Sequence, residues 1–188
     1  MTKSTPLVVT LDSLNNPSNI EFRQSNRSAA FIKGEEEDEE VNYADRGSLL
    51  HYLFSNIKKA QDLPRALEQL RFEGLFRSAE EEEQVQRLAE EILNMPQIKP
   101  WFEDGWEVYN ERSIIYTTED GTVKPERPDR VMRQGDQVIV VDFKFGHKKP
   151  KHQEQVSSYM TLLKQMGYEH VNGYLLYGYS RELIEVAQ

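Results

Sequence analysis

Two aspartates and a lysine stand out in the stretch RPDRVMRQGDQVIVVDFKFG, residues 127–146. Carboxylates hold hard divalent cations, and a lysine steadies negative charge developing on a phosphate. Gly135-Asp136 is a two-residue hairpin signal between two β-branched runs. With those residues at the centre of the turn, Asp129 faces Asp142 in a non-hydrogen-bonded pair, Cα atoms ~4.5 Å apart. Like charges so placed repel. Side chains alternate along a strand, so Asp142 and Lys144 share a face with Val138 and Val140. Ile139, Val141, Phe143 and Phe145 share the other face, which suits a core. The charges therefore lie on a partly covered surface, where unpaired carboxylates are costly. Two readings follow from the hairpin alone. Either a divalent cation with oxygen ligands sits between the aspartates, or Lys144 and a nearby arginine neutralise them. The first reading leads to phosphodiester hydrolysis, with metal-activated water and Lys144 as donor.

Other residues could join this chemistry. His51 lies at the edge of a helical stripe; an imidazole suits Mn²⁺ better than Mg²⁺. Gln155 and Tyr159 are four apart and share one helical face. Lys148, Lys149, Lys151 and His152 follow the lysine strand. They could grip a nucleic-acid backbone, or form a solvated loop and helix start. Glu111 is either an accessory acid or a surface glutamate. Lys124, Arg127, Arg130, Arg133, Lys144, Lys148, Lys149 and Lys151 cluster in sequence, so a local basic surface is compatible with a net charge of −9.

The elements that must position these groups follow from periodicity. RGSLLHYLFSNIKKA, from Arg46, carries Leu49, Leu50, Leu53, Phe54 and Ile57 at helical spacing. A second helix is expected over 62–72. A third is expected over 79–93, with Ser78 as N-cap and glutamates in its first turn. Strands are expected at 106–116, 127–133 and 137–145, with a turn at Glu119-Asp120-Gly121. Pro150 precedes a helix over 151–166 that Gly167 stops, and 171–179 reads as a last strand. The order is helices, three strands, helix, strand. Residues 1–45 read as a mostly irregular N-terminal extension. It holds a short strand near Leu7–Leu11 and a mobile acidic loop, EEEDEE, at 35–40.

The 188 residues suit one compact domain, here 46–188 with the extension before it. No apolar run approaches the ~20 residues of a membrane helix. The first residues lack the apolar core of a secretory signal, which points to a cytoplasmic protein. The chain has no cysteine, which excludes disulfides, zinc fingers and thiolate-held iron–sulfur clusters. No phosphate-cradling glycine loop or dinucleotide fingerprint is present.

PD-R-V (128–131), followed after a hairpin by V-D-F-K (141–144), resembles the PD-(D/E)XK nuclease superfamily. RGSLLH (46–51) resembles the G-x-x-x-H helix of its RecB-like branch, and QVSSY (155–159) that branch's Q-x-x-x-Y helix. The four come in the family's order, within the same succession of elements. The nearest likeness is to the C-terminal nuclease domains of RecB- and AddA-type helicase–nucleases. The resemblance implies an α/β restriction-endonuclease-like core, a mixed central sheet flanked by helices, with a helical insertion after the His51 helix. It implies that His51, Asp129, Asp142 and the Phe143 carbonyl ligate Mg²⁺ or Mn²⁺, and that Lys144 is catalytic. Gln155 and Tyr159 would position substrate, and DNA would be the partner, with a helicase motor in the same or another chain. Some relatives hold an iron–sulfur cluster on four cysteines, which this chain cannot do.

Three functions compete on these grounds. The first is a metal-dependent DNA nuclease, expected to be an exonuclease in repair or recombination. The second is a silent DNA-binding or docking module of the same fold. The third, a small-molecule phosphohydrolase, is disfavoured by the missing glycine loop.

Overall fold

The computed structural model describes residues 38–118 and 120–187, with side chains from Arg46 onward. The strand expected near Leu7–Leu11 and the start of the acidic run lie outside the described residues. Helix α1 spans Asp38–Ser55, so Asp38, Glu39 and Glu40 belong to a helix rather than to the expected loop. Leu49, Leu50, Leu53, Phe54 and Ile57 are all buried, as their spacing predicts. Helix α2, Leu63–Phe72, buries Leu63, Ala66, Leu67 and Leu70, one stripe at i, i+3, i+4 and i+7. Helix α3 spans Ala79–Leu93. Its N-cap is Ser78, whose hydroxyl accepts from the Glu81 N–H at 3.1 Å.

Seven strands follow: β1 Glu107–Asn110, β2 Ile114–Thr117, β3 Val123–Glu126, β4 Arg130–Gln134, β5 Gln137–Lys144, β6 His170–Tyr177 and β7 Glu182–Val186. Helix α4, Lys151–Gln165, connects β5 to β6. The main sheet has the order β1-β4-β5-β6-β7. Among the described residues only β5 and β6 pair in parallel, which requires a crossover, and α4 supplies it. β2 and β3 form a separate antiparallel pair.

The single strand expected over 106–116 is two strands. Glu111 has φ 51°, in the left-handed region, which turns the chain out of the sheet between β1 and β2. β3 and β7 were not expected; β7 is a short edge strand of half-buried residues with weak alternation.

Every residue of β5 from Val138 to Phe143 is buried, because the sheet is covered on both faces. Ile139, Val141, Phe143 and Phe145 join the apolar core of α1–α3, whereas Val138 and Val140 pack with Val156, Tyr159 and Leu163 of α4. The mixed five-stranded sheet between helical layers is a restriction-endonuclease-like α/β fold. No helix of the described residues is long and apolar enough to cross a membrane.

Candidate active site

The β4–β5 hairpin has the predicted register: Gln134 pairs with Gln137 and Arg130 with Val141. β4 starts at Arg130 rather than at 127, so Asp129 stands one position before the ladder, and continuing the register sets it opposite Asp142. Its Oδ2 accepts from the Phe143 N–H at 2.7 Å. The Asp129 carbonyl in turn accepts from the Glu111 N–H at 3.0 Å. Asp129 is thus held from both neighbouring strands.

Asp142 is only 1 % exposed. The Lys144 Nζ lies 2.5 Å from its Oδ2. That contact is an ion pair, and the hydrogen bond from the ammonium works against the burial of the carboxylate. Lys144 Nζ also donates to Gln155 Oε1 at 3.1 Å. Gln155 Nε2 donates to the Tyr159 hydroxyl at 2.6 Å, which donates to the Arg127 carbonyl at 3.4 Å. Side chains from α4 therefore fix the lysine of β5 and the segment entering β4.

His51, on α1, reaches the same end of the sheet. Its Nδ1 lies 3.5 Å from Asp129 Oδ2, too long for a good hydrogen bond. Its ring meets Phe145 edge-on, centroids 5.1 Å apart. Burial, helped by the Lys144 charge, pulls the imidazole down to about 4, so it is neutral near pH 7, the state that can ligate a metal. Asp129 moves the other way. Burial and then the Asp142 charge push it up to about 8, against the Phe143 N–H donation and the Lys144 charge. Asp142 is also raised, first by burial, with Lys144 opposing. Two acids largely shielded from water, with raised affinity for protons, form a place short of positive charge. Among the described residues, no three histidine or acidic side chains already converge at liganding distance. His51 and Asp129 face one another, and Asp142 is turned to Lys144. The donor set, two carboxylates and a neutral imidazole, fits a divalent cation.

The expected basic surface is smaller than the sequence suggests. Arg130 is buried on the α1–α3 side. Arg127 pairs with Glu111 at 3.0 Å and Arg133 with Glu107 at 3.9 Å. Lys148 pairs with Glu182 and lies 5.5 Å from the Tyr177 ring centroid. Lys124, Lys149 and Lys151 remain exposed. His152 is buried, its Nδ1 3.0 Å from the Tyr177 hydroxyl. A cleft of about 740 Å³ opens between the β2–β3 pair and α4, lined by Tyr116, Lys124, Ser157, Ser158 and Thr161 among others. His51, Asp129, Asp142 and Lys144 are not among the residues that line it.

Glu111 was weighed from sequence as an accessory acid. Its charge acts on both aspartates, raising each, and it sits at the positive-φ turn that holds Asp129. The role of Gly47 is read only in three dimensions. A Cβ there would meet the Cβ and carbonyl oxygen of Phe145, each at 3.2 Å. The missing side chain lets α1 approach the end of β5, and His51 lies one turn further along the same helix. A glycine inside a helix was the available signal.

No curated protein sequence matches the chain closely enough to be called a relative. The sequence profile of the PD-(D/E)XK nuclease superfamily matches residues 22–185, which take in the whole hairpin and both helices that reach it. Nucleases of that superfamily typically use a divalent metal. With its paired aspartates and lysine on a central hairpin, the chain belongs to the PD-(D/E)XK nuclease superfamily.

Proposed function

We propose that the chain is a metal-dependent deoxyribonuclease of the RecB-like branch, acting from DNA ends in repair or recombination beside a helicase motor. The observation that carries this reading is the facing pair of a half-buried Asp129 and a buried Asp142, with Lys144 two residues beyond Asp142 on the same strand and its ammonium 2.5 Å from the Asp142 carboxylate. Asp129, Asp142, His51 and the Phe143 carbonyl are the groups that would hold Mg²⁺ or Mn²⁺. A bound divalent ion supplies a polarised phosphoryl oxygen and an activated water. The protein's own part is positioning and charge. Lys144 donates through Nζ to the oxygen on which negative charge grows. Gln155 aims that ammonium, and Tyr159 anchors Gln155 to the Arg127 carbonyl. Lys149 and Lys151 offer charge to the DNA backbone, and Lys148 joins them only by leaving Glu182.

The test is digestion of end-labelled linear and circular DNA with Mg²⁺, Mn²⁺ or chelator, on wild type and Lys144→Ala. Wild type is expected to degrade linear DNA from its ends with metal, and to spare circles. Digestion that persists in chelator, or is unchanged in Lys144→Ala, would refute the reading. DNA binding without cleavage under either metal would instead make the chain a docking module.

A further inference from the structure

Arg130 has no direct role in the chemistry above, yet it is among the most buried side chains in the protein, 1 % exposed. Burial pulls its guanidinium down to about 9, so it is still charged at neutral pH. Among the described residues it forms no ion pair; Asp62 helps only from a distance. Its partners are neutral oxygens. Nη1 donates to the Ile57 carbonyl at 2.9 Å and to Asn110 Oδ1 at 3.3 Å. Nη2 donates to the Lys58 carbonyl at 2.8 Å and the Trp101 carbonyl at 2.9 Å. Its flat face lies 4.0 Å from the Phe102 ring centroid. Asn110 completes the cluster, its Nδ2 donating to the carbonyls of Phe54, Ser55 and Ile57 at 3.3, 2.9 and 3.0 Å.

Trp101 belongs to the short turn of helix at Lys99–Phe102; Phe54 and Ser55 lie in the last turn of α1, where a helix leaves carbonyls short of partners, and Ile57 and Lys58 just beyond it. A cation there also meets the negative end of the helix dipole. An apolar side chain would fill the space at less desolvation cost, so the arginine calls for a reason beyond packing. Its place suggests one. Arg130 follows Asp129 directly and pairs across the sheet with Asn110. Asn110 directly precedes Glu111, whose N–H holds the Asp129 carbonyl. His51 lies one turn before Ser55. One hydrogen-bonded cluster thus joins the end of the histidine helix to the backbone on both sides of Asp129.

We propose that Asn110 and Arg130 are positioning residues that set the distance between His51 and Asp129, and through it the affinity for a divalent cation. The inference rests on His51 and Asp129 being ligands, as proposed above. Neither Asn110 nor Arg130 touches the metal or the substrate. Their effect passes through the tilt and height of α1.

The test is a double-mutant cycle read as Mn²⁺ affinity, from the loss of the free-ion EPR signal on titration, with folding followed by circular dichroism. The variants are His51→Ala, Asn110→Ala and the double. Asn110→Ala is expected to weaken Mn²⁺ binding by about 10- to 100-fold while the fold melts cooperatively. In the His51→Ala background it is expected to cost nothing further, because the ligand it places is gone. Effects that multiply in the double variant, or wild-type affinity in Asn110→Ala, would overturn the inference and leave the metal reading standing. Wild-type affinity in His51→Ala would remove His51 as a ligand and the inference with it. If Asn110→Ala does not fold, Arg130→Lys enters the same cycle under the same criteria.

Discussion

The two faces of β5 divide the work of the protein. Toward α1–α3, the strand presents Ile139, Val141 and Phe143 to a continuous apolar core that also takes in Phe145. Toward α4, it presents Val138 and Val140 and then, at its C-terminal end, Asp142 and Lys144. The helical face excludes water from the strand and carries stability. The α4 face uses the same exclusion to raise the two aspartates. Alternation along one strand is enough to separate the functions.

The first way to break the comparison is to remove the charges. Asp142→Ala and Lys144→Ala are each expected to lower DNA cleavage by about 10²–10³-fold or more. Metal-free melting is expected to stay cooperative, because neither residue belongs to the apolar cores. On the helical face, Leu70→Ala is expected to cost about 2–5 kcal/mol in denaturant unfolding while cleavage per folded molecule is unchanged. A variant that moved both quantities together would blur the division.

Gly173 gives an intermediate case. A Cβ there would lie 2.3 Å from Met160 Sδ and 2.7 Å from Val156 Cγ1. Gly173→Ala is expected to cost about 1–3 kcal/mol through overpacking and to shift α4. Since α4 carries Gln155 and Tyr159, which hold Lys144, kcat for DNA cleavage should fall with the stability loss.

The smallest expected effect is on pH dependence without metal. Asp129 has a folded value of about 8, above its unfolded value of ~3.9. The folded state then holds the extra proton between those limits, and stability falls as pH rises through them. His51 works oppositely, with a folded value of about 4 below its ordinary 6.5, so its contribution grows between those two values. Above pH 6.5 the acids act unopposed by His51. Metal-free stability should decline from there toward pH 8 by up to about 1.4 kcal/mol per pH unit for Asp129 alone. Asp129→Asn should flatten the decline in thermal melts across that range.

What the sequence made legible was local. The Gly135-Asp136 turn set the hairpin register and hence the facing aspartates. The Ser78 cap and the spacing of the leucines placed the helices. Gly167, with φ 96°, follows α4 as its stop signal predicts. What stayed hidden depended on distant partners. Arg130 read as one of a cluster of basic residues, yet it is buried against carbonyls that lie 73 and 72 residues away in the chain. The split at Glu111 was masked by apolar alternation that continues across it in WEVYNERSIIY. Gly47 carried a motif whose physical cause, contact with Phe145, needs the fold to be seen. The basic cluster looked larger in sequence because Glu107, Glu111 and Glu182, which neutralise part of it, belong to other strands or to a strand end.

The most direct measurement is anomalous diffraction from a crystal soaked in Mn²⁺. The expected result is a peak between the carboxylates of Asp129 and Asp142 and within reach of the His51 imidazole, lost in Asp142→Ala. A clean map at that position under saturating Mn²⁺, with Lys144 still on Asp142, would contradict the metal-dependent reading.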